Sequence, residues 1–166
     1  MFRLGKPPRR GGPWLAAALL LAAPAAQAGR VEFSAGRSWT LLPRHYTAVA
    51  FAEWIGDPVP VWQLRFAPAF ALGHFAPRPN PPNARLDNGV WLGAAGARLY
   101  LWRSLYLGFA LATSHGKTDA LSTPYEFMSS LGWQGGHWQV MFRHVSNGDL
   151  HEPNHGETML LAGLAF

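Results

Sequence analysis

Residues 125–146 read YEFMSSLGWQGGHWQVMFRHVS, two runs in which apolar and polar residues alternate. In the first half of this stretch Tyr125, Phe127, Leu131 and Trp133 alternate with Glu126, Ser130 and Gln134. In its second half Trp138, Val140 and Phe142 alternate with Gln139 and Arg143. A period of two puts successive side chains on opposite faces of a strand. Gln134-Gly135-Gly136 between the halves marks a tight reversal. The stretch is therefore predicted to be a β-hairpin with one apolar, aromatic face and one polar face.

The same pattern extends in both directions. Val31, Phe33 and Ala35 alternate with Glu32, Ser34 and Gly36. Trp62, Leu64, Phe66, Phe70 and Leu72 alternate with Gln63, Arg65 and small residues, and Leu105, Leu107, Phe109 and Leu111 with Tyr106, Gly108, Ala110 and Ala112. Weaker stretches lie near residues 45–54, 88–99 and 157–166, which brings the count to eight. Alternation alone fits a sandwich or a soluble lipid-carrying barrel as well, so the connections decide. After a short first connection they run tight, long, tight, long, tight, long. The tight turns fall at residues 55–59, around Arg103 and at 134–136; the long connections are 74–88, 116–123 and 148–156. Short turns at one end and longer loops at the other are the pattern of an outer-membrane barrel. The predicted fold class is all-β, an eight-stranded antiparallel transmembrane β-barrel. Closure has a physical cause: every backbone N–H and C=O in lipid needs a partner, and a closed sheet has no edge.

The aromatic residues agree with this reading. Trp54, Trp62, Trp133 and Trp138 all stand beside predicted tight turns, as an interfacial girdle would. Leu160, Ala162 and Leu164 alternate up to Phe166, and a terminal aromatic after an amphipathic strand looks like the assembly signal of bacterial outer-membrane barrels.

The first 28 residues are predicted to be a cleaved export signal. Arg3, Lys6, Arg9 and Arg10 precede an apolar stretch of about ten residues, which is too short to span a bilayer. Pro24 and Ala26-Gln27-Ala28 then supply a break and a small-x-small cleavage site. Residues 29–166 would be the barrel. The whole chain carries 14 Lys and Arg against 9 Asp and Glu. Without the leader 10 basic residues face 9 acidic ones, a net charge of +1, and a nucleic-acid partner loses its main support. There is no cysteine, so an exported protein of this size needs a full core or a membrane to stabilise it.

The hairpin's second strand carries the unusual chemistry. After Trp138, Val140 and Phe142, the outward face continues with His144 and Ser146. Two polar groups at successive lipid-facing positions are costly unless they lie near the interface or have partners. By the loop lengths this strand ends on the external side, at the depth of the outer leaflet. Residues i and i+2 on a strand lie about 7 Å apart at the α-carbons. That is near enough for an imidazole to take a serine proton, and serine is a poor nucleophile without such a base.

The run His144-Val145-Ser146-Asn147-Gly148 with Pro153-Asn154-His155-Gly156 resembles the lipid A 3-O-deacylase (PagL) family, which has an H-x-S-N motif followed by a P-N-x-G turn. Residues 127–132 resemble that family's preceding strand, with Tyr125 in the first aromatic place. The likeness is concentrated in the last ~45 residues; beyond them it is one of architecture. It implies an esterase that removes the 3-O-linked acyl chain of lipid A, with lipopolysaccharide as substrate and no cofactor. Ser146 would be the nucleophile, His144 the general base, and an acid after the turn, Glu157, would orient His144. The family's acid typically stands one residue later, where this chain has Thr158. Alternation back from Phe166 also turns Thr158 outward and Glu157 inward, so Glu157 would need a bulge, and Asp149 and Glu152 are rivals. Asn147, Gly148 and Asn154 are the oxyanion candidates, although Asn154-His155-Gly156 reads equally as a plain turn. Asp149 stands where the family has a small residue. A metal site among His137, His144, His151 and His155 is not expected, because no pair has the helical spacing of a zinc protease. Arg78, Arg85 and Lys117 in the external loops are read as solvated charges rather than phosphate ligands. The alternative to the enzyme is a non-enzymatic barrel with an adhesive or structural role.

Overall fold

The computed structural model describes residues 29–40, 45–80, 82 and 84–166. The predicted export signal, residues 1–28, lies outside them. The strands are β1 (Gly29–Trp39), β2 (Tyr46–Gly56), β3 (Val59–Val61), β4 (Leu64–Phe75), β5 (Val90–Tyr100), β6 (Leu105–His115), β7 (Tyr125–Gln134), β8 (Trp138–Ser146) and β9 (Glu157–Ala165). All neighbours are antiparallel, β1 pairs with both β2 and β9, and β2 pairs with β4. Eight long strands thus form a closed barrel. Phe166 continues the closure, exchanging backbone hydrogen bonds with Val31 at 2.9 and 3.0 Å.

One connection differs from the sequence expectation. The turn predicted at residues 55–59 is instead a small excursion, in which Val59–Val61 forms a three-residue hairpin with the start of β4. Trp62 occupies its turn at φ 56°, so it is not the first residue of an alternating strand. Its side chain is 89% exposed, as an anchor at a membrane interface would be.

The two wall faces have opposite character. Phe33, Phe70, Leu72, Leu107, Phe109, Leu111, Leu131, Val140, Phe142, Leu160 and Leu164 all point outward and are exposed. That continuous apolar band on a closed, even-stranded sheet is what lipid requires. The molecule is an outer-membrane β-barrel. The short-turn rim carries Trp54, Trp62, Trp102, Trp133 and Trp138; the opposite rim carries Trp39, Tyr46, Trp91 and Tyr125.

The interior is filled. Phe51, Phe75, Leu92, Met128, Met141, Met159 and Leu161 form an apolar core, closed by Leu121 from the loop between β6 and β7. Beside it lies a buried charge network. Arg98 donates to Glu32 at 2.5 Å and to Glu53 at 3.4 Å, and Arg143 donates to Glu53 at 2.7 Å and to Ser130 at 2.9 Å. Tyr106, wholly buried, donates to Gln139 at 3.0 Å and lies 4.3 Å from the Arg98 guanidinium. Gly132 makes room for it, since a Cβ there would overlap the Tyr106 ring.

The external loops pack on one another. Arg85 and Asp119 exchange backbone and carboxylate bonds at 2.8–2.9 Å, and Ala84, Leu86 and Ala120 form a small apolar cluster. The same loop, residues 116–124, reaches the segment before β9: its Asp119 and Ala120 carbonyls accept from His155 and Gly156 at 3.2 and 3.1 Å. These contacts fix the residues that approach His144.

Candidate active site on the outer wall

Strand β8 presents Trp138, Val140, Phe142, His144 and Ser146 outward, while Gln139, Met141, Arg143 and Val145 are buried inward. The register is unbroken on both sides. His144 stands opposite Ser129 of β7 and Thr158 of β9, and Ser146 opposite Phe127. The two residues singled out in the sequence therefore share the lipid-facing wall, two positions apart. His144 and Ser146 form no direct hydrogen bond with each other; the imidazole Nδ1 instead lies 2.9 Å from Thr158 Oγ1. Catalytic hydrogen bonds commonly tighten only when substrate binds.

Gly156 shapes the other edge of the ring. It has φ +61°, and a Cβ there would stand 2.9 Å from His144 Cε1 and 3.3 Å from Nε2. Glycine is thus required twice over, for a left-handed backbone and for access to Nε2.

Glu157 is not the partner of His144. No bulge intervenes, so Val145 pairs with Glu157 and His144 with Thr158, and Glu157 points inward. There Ser38 donates to its Oε2 at 2.5 Å and Arg78 forms a buried ion pair with Oε1. This also corrects the reading of Arg78 as a solvated loop charge: it is 7% exposed and donates to the His45 carbonyl at 2.7 Å. The pair ties the loop between β4 and β5 to the barrel mouth. Glu157→Gln leaves the Arg78 charge uncompensated, and breaking such a buried pair costs about 3–5 kcal/mol. Urea titration of the folded barrel should show that loss.

Two of the three oxyanion candidates are engaged elsewhere. Asn147 is fully buried on the inner side, where its Nδ2 donates to the His151 carbonyl at 2.8 Å and to Ser122 Oγ at 3.5 Å. Asn154 Nδ2 donates to Asp149 at 3.0 Å, and its Oδ1 accepts from the Asn147 backbone at 3.4 Å. They organise the loop. Gly148, exposed at φ +68° directly beyond β8, remains the backbone candidate. The rivals Asp149 and Glu152 lie exposed in the loop rather than in the strand register beside His144. Among the described residues no group of three or more His, Asp or Glu side chains is arranged to hold a metal ion.

The sequence reading missed Ser129. It interrupts the outward series Tyr125, Phe127, Leu131 and Trp133, and that break in an apolar face was the available signal. With His144 it borders a cleft of about 230 Å³, also lined by Leu107, Leu131 and Phe142. At Leu107 and Ser129 this cleft meets a larger apolar furrow of about 710 Å³. Ala95, Gly96, Ala97 and Gly108 form the furrow's shallow floor, because strands β5 and β6 present small residues there.

No protein-family model and no curated protein match the chain. Among solved structures it is similar to Neisserial surface protein A, at 13% identity over 82% of this chain and 94% of that one, with a TM-score of 0.46. It is also similar to Ail, the attachment invasion locus protein of Yersinia pestis, in complex with the heparin analogue sucrose octasulfate. That likeness has 12% identity over 84% of this chain and 99% of the other, with a TM-score of 0.46.

Proposed function

We propose that the protein is a lipid A 3-O-deacylase, an esterase acting on lipopolysaccharide from the outer wall of its barrel. The observation that carries this reading is the placement of His144 and Ser146 on one lipid-facing strand face near its external end. The H-x-S-N and P-N-x-G motifs that resemble the deacylase family lie at the same place. Ser146 Oγ attacks the acyl carbonyl carbon while its proton passes to His144 Nε2. The ester C–O bond then breaks, and the proton goes to the sugar oxygen that leaves. Water, deprotonated by His144, attacks the acyl-serine and releases a 3-hydroxy fatty acid, which restores Ser146. The furrow beside Ser129 offers apolar surface for the departing chain.

Mass spectrometry of lipid A tests the reading. Expression in a host without this activity should convert lipid A to a form lighter by one 3-hydroxyacyl group. Unaltered lipid A from a strain with well-folded protein in its outer membrane would overturn the proposal. One observation favours a non-enzymatic barrel: His144 is backed by Thr158 rather than by a carboxylate. That reading expects unaltered lipid A.

Access to Nε2 gives a second test. In Gly156→Ala a left-handed alanine costs about 1–2 kcal/mol, and its Cβ crowds the imidazole edge. Displacing a catalytic group by about 1 Å costs on the order of 100-fold in rate. The initial rate of fatty-acid release should therefore fall by about that factor while the barrel still assembles.

A further inference from the structure

We propose that Thr158 is the positioning residue for His144: its Oγ1 accepts a hydrogen bond from Nδ1–H, leaving Nε2 as the free base. This rests on the esterase reading for its purpose, but its geometry stands alone.

Thr158 is only 6% exposed although it sits in register with His144 on an outward-facing strand position. Trp39 lies opposite it on β1 and packs against Phe142 with ring centroids 6.1 Å apart. Thr158 is thus buried on a wall whose flanking positions carry aromatic rings. A hydroxyl in such surroundings costs free energy unless it is hydrogen-bonded, and its partner here is His144 Nδ1 at 2.9 Å. Low local dielectric strengthens that bond. The two edges of the ring therefore differ. The Nδ1 edge is held and shielded, whereas the Nε2 edge faces the position that Gly156 leaves clear. Only the tautomer with the proton on Nδ1 satisfies the threonine as acceptor and leaves a lone pair on Nε2.

A threonine can hold the ring through an acceptor lone pair as a carboxylate does, but its hydroxyl can also donate to a bare Nδ1, and it carries no charge to stabilise the imidazolium that forms during attack. The dyad is accordingly a slower base. Without the bond the ring samples both tautomers and other rotamers, so the loss should appear in kcat and leave KM nearly unchanged.

The test combines a spectrum with kinetics. In 15N-histidine-labelled protein, with His144 assigned by comparison with His144→Gln, neutral His144 should carry its proton on Nδ1. In Thr158→Val the nitrogen shifts should move to those of an unrestrained imidazole, and kcat should fall by about 10- to 100-fold at unchanged KM. Thr158→Ser should restore both. A wild-type spectrum with the proton on Nε2 would overturn the proposal, as would Thr158→Val with unaltered spectrum and kcat. Should wild-type protein release no fatty acid, the esterase reading fails while the tautomer result still decides the role of Thr158.

Discussion

Replacing Ser146 by alanine is expected to lower the release of 3-hydroxy fatty acid from lipopolysaccharide by about 10⁴- to 10⁶-fold, the range seen when a serine nucleophile is removed. The barrel should still assemble, because Ser146 is the last residue of β8 and its side chain supports no other part of the fold among the described contacts. Ser129 makes the informative comparison. It lies opposite His144 on the neighbouring strand and borders the same cleft, so a hydroxyl on β7 is also within the histidine's surroundings. Ser129→Ala is expected to cost less than about tenfold, since a wall residue that only touches substrate contributes uniform binding. Initial rates on purified lipopolysaccharide, measured for both variants beside wild type, separate the two serines. A larger loss at Ser129 would move the nucleophile to β7.

The largest effect on stability is expected inside the barrel. Glu53 accepts from Arg143 at 2.7 Å and from Arg98 at 3.4 Å, and all three side chains are almost fully buried. Glu53→Ala removes the acid between two cations. Glu32 still compensates Arg98 at 2.5 Å, but Arg143 keeps only the neutral Ser130 hydroxyl and the face of Phe51. An uncompensated buried charge costs about 3–5 kcal/mol, far more than the net worth of the intact pair. The urea midpoint of the folded barrel in a bilayer should drop accordingly, and adding Arg143→Met should recover much of the loss. An unchanged midpoint in Glu53→Ala would show that water reaches this network and screens it.

The parts of this molecule legible in the sequence are those set by local period. Alternation placed the long strands, because lipid on one side and a packed interior on the other impose opposite polarity on neighbouring residues. It also placed His144 and Ser146 on one face. What escaped was set by contacts between distant segments. Val59–Val61 is too short, and contains Pro60, to read as a strand, so the hairpin ending at Trp62 looked like a simple turn. Arg78 resembled any loop cation until the fold brought it to Glu157, 79 residues away. Asn147 follows the serine in sequence, yet its inward side chain is consumed by the His151 carbonyl. Glu157 is the instructive case. Simple alternation turns it inward, and only an expected bulge turned it toward His144. The strand kept its register, and the residue beside the imidazole is Thr158.

The proposed function requires that His144 activate Ser146 on the lipid-facing wall. Peptide mass spectrometry of the folded protein after treatment with an alkyl fluorophosphonate, which forms adducts only with activated serines, addresses it most directly. A single adduct on Ser146, absent from His144→Ala, is expected. An adduct on another serine, or none on folded wild-type protein, would contradict the proposed function.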